Sequence, residues 1–330
     1  MMRIFHGINE YLKARADGEI SGGQSAVTLG KFDGVHLGHQ KLLKKILEEE
    51  SRGLTGIMFA IDSGAQRILS ENERAGFVSD FGIDILIECP FSRKLMTTSP
   101  EDFASGVLKD MLNASFVTVG TDFRFGYRRA GNASILAGLG ERFGYRTDAV
   151  EKAKLFGEEI SSTRVRAALE DGDMALAEAL LGRPYPVWGK VVHGRQLGRT
   201  IGIPTANVIP DKGKLLPPDG VYASVTVLQD GRTFPGVTNI GRNPTIGKDN
   251  IRSCETNLFG LSEEIYDTFI RTQLVCRLRG EMRFGSVSEL AEQMNKDRQK
   301  SLTVLKEREK VFPEGGSPIV LTASHILQEE

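Results

Sequence analysis

Two histidines and three glycines meet in one short turn near the start of the chain. In the stretch TLGKFDGVHLGHQKLL, a strand-like run ends at Gly30 and a helix-like run begins around His36 to His39. Glycines at 30, 34 and 38 let backbone amides approach a ligand, and the first turn of a helix offers unsatisfied N–H groups. Both rings can face one side of that turn, which indicates a phosphate site. A purely structural turn with one capping and one solvent-facing histidine is the alternative.

A second helix start of the same character lies in ISSTRVRAAL. Ser161, Ser162 and Thr163 are strong capping residues, and Arg164 and Arg166 follow just inside the helix. On a doubly wound sheet, two such helix starts converge at the carboxyl edge, where nucleotides bind. The pair of motifs favours a phosphate site over a turn that serves structure alone.

Glycines and arginines also alternate in GKVVHGRQLGRTIGIPTANV, ahead of Thr205 and Asn207. Gly194 and Gly198, with Arg199, are typical of a backbone that approaches phosphate closely. The Thr205 hydroxyl and the Asn207 carbonyl oxygen are hard donors two residues apart, so on an extended segment they point to the same side. Such oxygens suit Mg²⁺, which keeps waters and nucleotide oxygens as its other ligands. A β-hairpin with an Asn turn is the structural alternative.

Strand-like and helix-like segments alternate through the first half of the chain. The strand-like runs are AVTLG, GIMFAI, IDILIEC, SFVTVG and YRTDAV. The helix-like runs are HQKLLKKILEEESR, PEDFASGVLKDML, ASILAGLGERFG and a segment from about Ser162 to Leu181. This alternation predicts a doubly wound parallel sheet covered by helices.

The pattern changes after LGRPYPVWG (181–189), whose prolines and glycines are typical of a linker. The runs GKVVHG, GVYASVTVLQDGRTFPGVTNIG, SCETNLFG and FIRTQLVCRLRG predict a small antiparallel barrel or sandwich. A helical pattern at 286–312 closes it. The expected domains are therefore 1–183 and 184–312, with a C-terminal tail at 313–330.

Composition excludes several classes of function. The chain has 330 residues with 42 Lys+Arg against 43 Asp+Glu, so its formal charge of -1 provides no basic field for nucleic acid or for a membrane surface. Its three cysteines are scattered, which argues against disulfides or a zinc site. The N-terminus has no signal-like apolar region, and no apolar run reaches membrane-spanning length. We expect a soluble, cytoplasmic protein, a monomer or weak homo-oligomer, that binds neither nucleic acid nor membrane.

The first two motifs carry a family resemblance. HxGH after a strand, followed by ISSTxVR, resembles the nucleotidylyltransferase superfamily. The segment VGTDFRFGYRRAGN (119–132) narrows this resemblance to the FMN-adenylylating module of prokaryotic bifunctional riboflavin kinase/FAD synthetases. The resemblance implies that the FMN phosphate attacks the α-phosphorus of ATP, so that catalysis needs positioning and charge neutralisation but no protein nucleophile.

The resemblance also implies roles for individual residues. His36 and His39 contact the ATP phosphates and stabilise the transition state, and Asp122 and Asn132 lie near the flavin and nucleotide pockets. The other expected ATP- or phosphate-binding residues of this module come from the two helix starts: Gly30, Phe32, Asp33, Gly34, Gly38, Ser161, Ser162, Thr163 and Arg166.

One segment departs from the family pattern. Family members usually carry F-x-P-x-P after the second strand, whereas this chain reads MFAIDSGAQRIL at 58–69 and has neither proline. Because that segment borders the substrate site, the departure leaves a second interpretation open. The chain is then a monofunctional riboflavin kinase whose first domain is a degenerate nucleotide- or flavin-binding regulatory module.

The third motif resembles the riboflavin kinase signature GxVxxGxxxGRxLGxPTAN, with Ile201 in the leucine position. The resemblance continues at GVYA (220–223), GVTNIGRNPTIG (236–247) and CETNLF (254–259), although Asp267 stands where glycine is usual. Together the two resemblances cover about residues 3–312.

This resemblance assigns Glu255 as the base that accepts the proton of the riboflavin 5′-hydroxyl. It implies that Thr205 and Asn207 hold Mg²⁺ or a similar divalent cation. ATP contacts are expected from Gly194, Gly198 and Arg199, and flavin contacts from Gly241, Arg242 and Thr245. A solvent-facing strand glutamate is the alternative for Glu255. Glu281 is interpreted as a structural residue or a member of a surface ion pair.

The expected function is bifunctional. The C-terminal domain makes FMN from riboflavin and MgATP, and the N-terminal domain makes FAD and pyrophosphate from FMN and ATP. Besides the monofunctional kinase, a nucleotide-sensing scaffold without turnover is the third interpretation. Flavins and ATP are the expected partners in each case.

Overall fold

The computed structural model describes residues 2–62, 66–194, 204–242 and 251–311 of the chain. Contacts group the residues into two units. The first contains Met1–Gln66 and Arg74–Ile160, and the second contains Arg67–Glu73 and Ser161–Glu330. Residues 67–73 and 161–183 thus group with the second unit, whereas the sequence suggested a boundary at 183–184. That boundary stays a prediction, and the expected tail at 313–330 lies outside the described residues.

Six strands form the main sheet of the first unit. They are β1 (Arg3–Phe5), β2 (Ser25–Gly30), β3 (Thr55–Asp62), β4 (Ile85–Pro90), β5 (Ala114–Gly120) and β8 (Arg146–Val150). Their order is β1-β4-β3-β2-β5-β8, and every neighbouring pair is parallel. Two small hairpins join them, β6 (Arg124–Phe125) with β7 (Gly131–Asn132) and β9 (Lys154–Leu155) with β10 (Glu158–Glu159). The predicted parallel sheet is confirmed.

Helices connect these strands. They are α1 (Ile8–Ala16), α2 (Leu37–Glu50), α3 (Glu71–Phe81), α4 (Arg93–Thr97), α5 (Pro100–Asp102, continued by the π-helical Phe103–Met111) and α6 (Ala133–Phe143). The apolar face of α2 buries Leu42, Leu43 and Ile46. Val27 and Phe59, from the central strands, belong to one apolar cluster of this unit. The sheet is apolar along its strands because parallel strands are covered on both faces.

The strand order reverses between β2 and β5. From β2, the chain continues to β3 on one side, whereas β5 lies on the other side. Thr28 of β2 pairs with Thr118 of β5, so the loops that follow these two strands leave the same edge of the sheet. In open α/β sheets, ligands bind at this kind of reversal, outside the carboxyl ends of the strands.

The segment from about Ser162 to Leu181 is not one helix, as the sequence suggested. It forms α7 (Ser162–Asp171) and α8 (Met174–Leu181). Gly172 ends α7 in a left-handed conformation with φ 75°, and the Asp173 side chain accepts a hydrogen bond from Leu176 N to start α8. A glycine followed by a capping aspartate is an ordinary helix stop and restart, which the apolar periodicity concealed.

The second unit contains a closed antiparallel barrel. Its strands are β11 (Tyr185–Val192), β12 (Ala206–Val208), β13 (Gly220–Val227), β14 (Thr233–Arg242), β15 (Arg252–Leu258) and β16 (Phe269–Arg279). The order around the barrel is β11-β12-β15-β14-β13-β16, which confirms a barrel rather than a sandwich. The predicted linker at 181–189 was wrong in its second half, because Tyr185 to Gly189 pair with β16.

Helix α9 (Val287–Val311) packs on the outside of the barrel. Val304 contacts a small apolar cluster of Val221, Ala223 and Leu278. The Ser301 hydroxyl donates a hydrogen bond of 2.8 Å to the carbonyl of Gly236. The predicted closing helix is confirmed. No helix within the described part of the chain combines the length and the apolar character that crossing a membrane requires.

Candidate functional sites

His36 is the N-cap of α2, directly after the turn that follows β2. Its Nδ1 accepts a hydrogen bond of 3.3 Å from the backbone N–H of His39, so the neutral ring carries its proton on Nε2. The two rings are stacked, with centroids 3.7 Å apart and planes 15° apart. His36 is 5% exposed and His39 is partly exposed. The structure therefore brings the two histidines together on the first helical turn.

The turn before His36 holds an unusual backbone. Phe32 and Val35 both have positive φ, at 48° and 42°, and Gly34 between them has φ 92°. A β-branched valine in this region is strained, and such strain concentrates at ligand-binding turns. Phe32 is buried with its ring 5.1 Å from that of His39, whereas Asp33 is partly exposed. The loop between Gly30 and α2 therefore has a backbone conformation of the kind found at ligand-binding turns.

Gly38 allows the His36 ring to lie across the start of α2. A Cβ atom at Gly38 would be 3.2 Å from both Cε1 and Nδ1 of His36, and 3.7 Å from the carbonyl oxygen of Ile160. Any larger side chain would have to displace the ring. Glycine at this position therefore favours the close approach of the His36 ring to the backbone of α2.

Asp122 and Asn132 lie in the segment after β5, on the other side of the strand reversal. The Asp122 carboxylate is 63% exposed, and its Oδ2 lies 3.0 Å from Lys152 Nζ. Asn132 caps α6, since its Oδ1 accepts a hydrogen bond of 2.8 Å from Ile135 N. The cap accounts for Asn132 structurally, and its predicted contact with ligand stays a prediction.

Ser161 is the N-cap of α7, as its residue type indicated. Its hydroxyl accepts a hydrogen bond of 3.3 Å from Arg164 N. Ser162 and Arg166 are partly buried and Thr163 is exposed. This helix belongs to the second unit, so the expected convergence with the histidine turn of the first unit stays a prediction.

The divergent segment 58–69 divides between the two units. Residues up to Asp62 complete β3, and residues 63–65 lie outside the described part. Residues 67–73 belong to the second unit, where Glu73 of α3 forms a buried ion pair of 2.5 Å with Lys214. Burial lowers the pKa of Lys214, and the adjacent Glu73 carboxylate opposes that shift. The segment after the lost prolines is thus firmly anchored in the barrel unit.

Thr205 and Asn207 line a cavity of about 260 Å³ beside the barrel. Its other walls come from the ends of β11 and β15 and from the loop 261–266, and include Val191, Leu258 and Tyr266. The residues that line the cavity combine apolar side chains with hydroxyl, amide and carboxylate groups. Such a combination suits a nucleotide, whose base is apolar and whose phosphates are not.

Asn207 is 3% exposed, and its Oδ1 has no hydrogen-bond partner among the described residues. The backbone of Gly194 lies against this amide, since a Cβ atom at Gly194 would be 2.3 Å from Asn207 Nδ2. A buried amide oxygen without a partner costs free energy unless a ligand completes it. With the Thr205 hydroxyl two residues away, it supplies hard oxygen donors that fit a divalent cation such as Mg²⁺.

Glu255 lies directly opposite Asn207 in the barrel. Asn207 pairs with Glu255, and Glu255 pairs in turn with Asn239 on β14. Directly opposite residues of antiparallel strands project from the same face, with Cβ atoms about 5 Å apart. Glu255 is partly exposed on this face, whereas its neighbour Cys254 is buried inside. Burial raises the pKa of the Cys254 thiol to about 12, so the thiol stays protonated beside the carboxylate.

Asn239 is a residue that sequence reasoning missed. Its place next to Glu255 follows from strand register, which the spacing of single residues does not reveal. Glu281 is exposed, and a Cβ at Gly241 would be 2.4 Å from its Oε1 and 3.4 Å from Asn239 Nδ2, so its interpretation as a structural or surface residue stays a prediction. Arg242 is exposed at the end of β14. The predicted residues Gly198, Arg199 and Thr245 lie outside the described part of the chain.

His193 stacks on Tyr266 at the cavity, with ring centroids 3.9 Å apart. The next residue, Asp267, has φ 63° and forms an ion pair of 2.8 Å with Lys190. The hydrogen bond from Lys190 lowers the pKa of Asp267. Asp267 stands where the family pattern has glycine, and it keeps the positive φ that glycine adopts readily. Its side chain adds an ion pair beside the cavity wall.

Two family models match the chain. The FAD synthetase model matches residues 20–164 and the riboflavin kinase model matches residues 181–305. A crystal structure described as a macrolide-efflux protein from Streptococcus pneumoniae has a similar fold, with a TM-score of 0.77 and 26% identity, over 91% of this chain and 98% of that one. That likeness concerns the architecture, whereas the sequence relatives decide the family.

Curated relatives share both halves of the chain. The chain is 35% identical over 308 residues to the bifunctional riboflavin kinase/FMN adenylyltransferase of Escherichia coli K12, covering 90% of this chain and 96% of that protein. It is 34% identical over 283 residues to the protein of the same name from Haemophilus influenzae, covering 82% and 91%. This chain therefore belongs to the bifunctional riboflavin kinase/FMN adenylyltransferase family.

Proposed function

We infer that this chain phosphorylates riboflavin to FMN with ATP and then joins FMN to the AMP part of ATP, giving FAD and pyrophosphate. The observation that carries this inference is that both family models match, one on each side of residue 170, and that relatives named for both activities span most of the chain. The monofunctional alternative is not favoured, because the FAD synthetase model extends across the divergent segment 58–69.

We propose that Glu255 is the base of the kinase reaction. The riboflavin 5′-hydroxyl loses its proton to the Glu255 carboxylate as its oxygen bonds to the γ-phosphorus of ATP, and the bond from that phosphorus to ADP breaks. A carboxylate opposite Asn207, on the same barrel face and without a competing ionised thiol, supports this role. General-base catalysis of this kind contributes about a hundredfold to ten-thousandfold.

Thr205 and Asn207 are proposed to hold Mg²⁺, and the unpartnered Oδ1 of Asn207 supports this assignment. The cation, when bound, neutralises charge on the ATP phosphates. The loop 261–266 and Val191 bound the cavity beside these two residues. Gly194 keeps the Asn207 amide in place by close backbone contact.

In the first unit, adenylylation needs no covalent intermediate. An FMN phosphate oxygen attacks the α-phosphorus of ATP, and the bond to pyrophosphate breaks. We propose that His36 and His39 contact the phosphates, His36 donating from Nε2, because their stacked rings lie at the N-terminus of α2, where anions are favoured. Asp122 is proposed to act near the flavin and nucleotide, from the adjacent loop across the strand reversal.

The test is a time course with purified chain, riboflavin, Mg²⁺ and ATP, followed by chromatography of the flavins. FMN should appear first and FAD second, and chelation of Mg²⁺ should stop FMN formation. Absence of FMN contradicts the kinase assignment. FMN without FAD contradicts adenylylation and points to the segment 58–69.

We also propose a cytoplasmic monomer or weak homo-oligomer that does not bind nucleic acid. The near-neutral charge supports this proposal. Light scattering on the purified chain tests the oligomeric state. A gel-retardation assay with RNA and DNA at low salt tests whether the chain binds nucleic acid.

A further inference from the structure

Lys152 connects two loops at the carboxyl edge of the parallel sheet. It follows β8 by two residues, and its Nζ lies 3.0 Å from Asp122 Oδ2 and 2.8 Å from Glu159 Oε2. The lysine side chain is 31% exposed, against 63% for Asp122 and 55% for Glu159, so it is the most enclosed of the three. One ammonium group thus links the loop after β5 to the hairpin of β9 and β10.

The first of these loops is closely tied to the sheet. Thr121 N donates a hydrogen bond of 3.0 Å to the carbonyl of Val150, at the end of β8. Asp122 Oδ1 folds back over Gly120, only 3.0 Å from where a Cβ of that glycine would lie. The contact with Lys152 therefore fixes Oδ2 of Asp122, in a loop whose backbone is already held by the hydrogen bond of Thr121.

The second loop leads to the histidine turn. After Glu159, Ile160 N donates a hydrogen bond of 2.8 Å to the carbonyl of Ala153, which closes the hairpin. The carbonyl oxygen of Ile160 then lies beside Gly38, 3.7 Å from where its Cβ would be, next to the His36 ring. A movement of the hairpin would be transmitted to the first turn of α2.

The local charge also depends on Lys152. The loop and the hairpin present two carboxylates, and both substrates of adenylylation are anions. Without the ammonium group, two uncompensated negative charges would face those substrates across one sheet edge. The hydrogen bonds from Lys152 to Glu159 and Asp122 raise the pKa of Lys152, so it stays protonated at physiological pH.

We propose that Lys152 is a positioning residue for FMN adenylylation, which aligns Asp122 and the 154–159 hairpin with the His36–His39 turn. The proposal rests on the adenylylation reaction inferred above. Exposed ion pairs contribute little to stability, so the removal of this one should leave folding nearly intact. Misalignment of reacting groups, in contrast, can slow a reaction by about a hundredfold.

The experiment compares Lys152→Met, Lys152→Arg and the control Lys154→Met. Lys154 is exposed on the same hairpin, and it belongs to neither candidate site. Each full-length variant is assayed for FAD formation from FMN and ATP, for FMN formation from riboflavin and ATP, and for thermal unfolding. The kcat and the KM for FMN and for ATP are measured separately.

Lys152→Met should lower the kcat of adenylylation by about ten- to a hundredfold, with each KM changed less than about threefold, because substrates still bind but react from poor alignment. Lys152→Arg should recover most of the kcat, since a guanidinium can donate to both carboxylates. Lys154→Met should behave as the wild type. Kinase activity and melting temperature should stay nearly constant in all three variants.

Three results would contradict the role of Lys152 without contradicting adenylylation by the chain. They are a normal kcat in Lys152→Met, a kcat of Lys152→Arg no higher than that of Lys152→Met, and a loss of adenylylation that parallels unfolding and the loss of kinase activity. A wild-type chain that makes FMN but no FAD overturns adenylylation itself, and the role of Lys152 falls with it. The wild-type measurement thus separates the two failures.

Discussion

Asn207 is a buried side chain whose Oδ1 has no hydrogen-bond partner among the described residues. Its neighbours fix the amide, through the backbone of Gly194 and the pairing with Glu255, but leave Oδ1 without a described partner. A side chain selected for stability alone would satisfy that atom or replace it with an apolar group. The stability of the barrel therefore does not explain why asparagine occupies position 207, whereas the proposed ligand binding does.

Replacing Asn207 by valine should separate stability from ligand binding at this position. The substitution removes an amide oxygen that has no partner among the described residues and adds little volume, so the ligand-free chain should melt at the same temperature or higher. Riboflavin phosphorylation should fall at least about tenfold at limiting Mg²⁺, because a charge-assisted contact of about 1.5–3 kcal/mol is lost. Calorimetry and a Mg²⁺ titration of kinase activity measure both effects. A lower melting temperature with unchanged Mg²⁺ dependence would assign Asn207 to the fold instead.

Some candidate site residues could be proposed from local sequence and others could not. Thr205 and Asn207 lie two apart on an extended segment, so their common cavity could be predicted. Asn239 and Lys152 could not, because their partners lie far away in sequence and depend on strand register and loop closure. The capping role of Asn132 is visible in its residue type but does not distinguish a cap from a ligand contact.

At the scale of elements, the end of α2 meets the amino ends of β3 and β4 through two carboxyl groups. Glu50 Oε1 accepts a hydrogen bond of 3.2 Å from Asp84 N, and Asp84 Oδ2 accepts one of 3.2 Å from Gly56 N. Gly56 leaves room for the Glu50 carboxyl, which would collide with any Cβ there. Burial, and next the negative charge of Asp84, raise the pKa of Glu50 to about 7.

This junction should lose stability as pH rises. The folded chain binds the Glu50 proton more tightly than the unfolded chain, so its contribution is complete below about pH 4.5 and is lost as pH approaches 7. Glu50→Gln should therefore gain of the order of 1 kcal/mol over the wild type between pH 5 and pH 8, after allowance for partial solvent screening. Urea unfolding at both pH values measures the difference.

The matched control for this prediction is Glu48→Gln, an exposed residue on the same helix that pairs with Lys45. Its difference from the wild type should be the same at pH 5 and pH 8. If Glu50→Gln also shows no change with pH, the Glu50 carboxyl titrates normally and the junction does not respond to protons.

Long periodic elements were predicted better than the breaks between them. The parallel sheet and the barrel follow from apolar alternation that extends over many residues. The stop at Gly172 was missed because the apolar positions of α7 and α8 continue one pattern across it. The first half of the strand at 185–192 was missed because Pro186 and Gly189 are common in linkers, whereas pairing with β16 accommodates both.

At the scale of the whole molecule, two reactions in one chain should be separable by single substitutions. Glu255→Gln should lower FMN formation by at least about a hundredfold and leave FAD formation from added FMN unchanged. His36→Asn keeps a side chain that can cap α2 but removes the ring, so it should make FMN and little FAD. Chromatography of flavins after incubation with riboflavin and MgATP measures each case.

Mixing the two variants provides the control. His36→Asn should release FMN that Glu255→Gln converts to FAD, so the mixture should make FAD from riboflavin although neither variant does so efficiently. Failure of the mixture, with each variant active in its own half-reaction, would mean that FMN does not leave the chain on which it forms. Loss of both reactions in either variant would contradict the separate assignment of the two sites.

The closure of the barrel has a consequence for the order in which a nascent chain can fold. The last sheet strand of the first unit ends at Val150, so that sheet has all its strands early in synthesis. The barrel cannot close until β16 emerges, because Tyr185–Lys190 of β11 pair with residues of β16 that lie about eighty to ninety positions later. Such distant pairing is slow, and unpaired strand edges invite aggregation. During synthesis, one edge of β11 therefore stays unpaired until β16 has been translated and has left the ribosome.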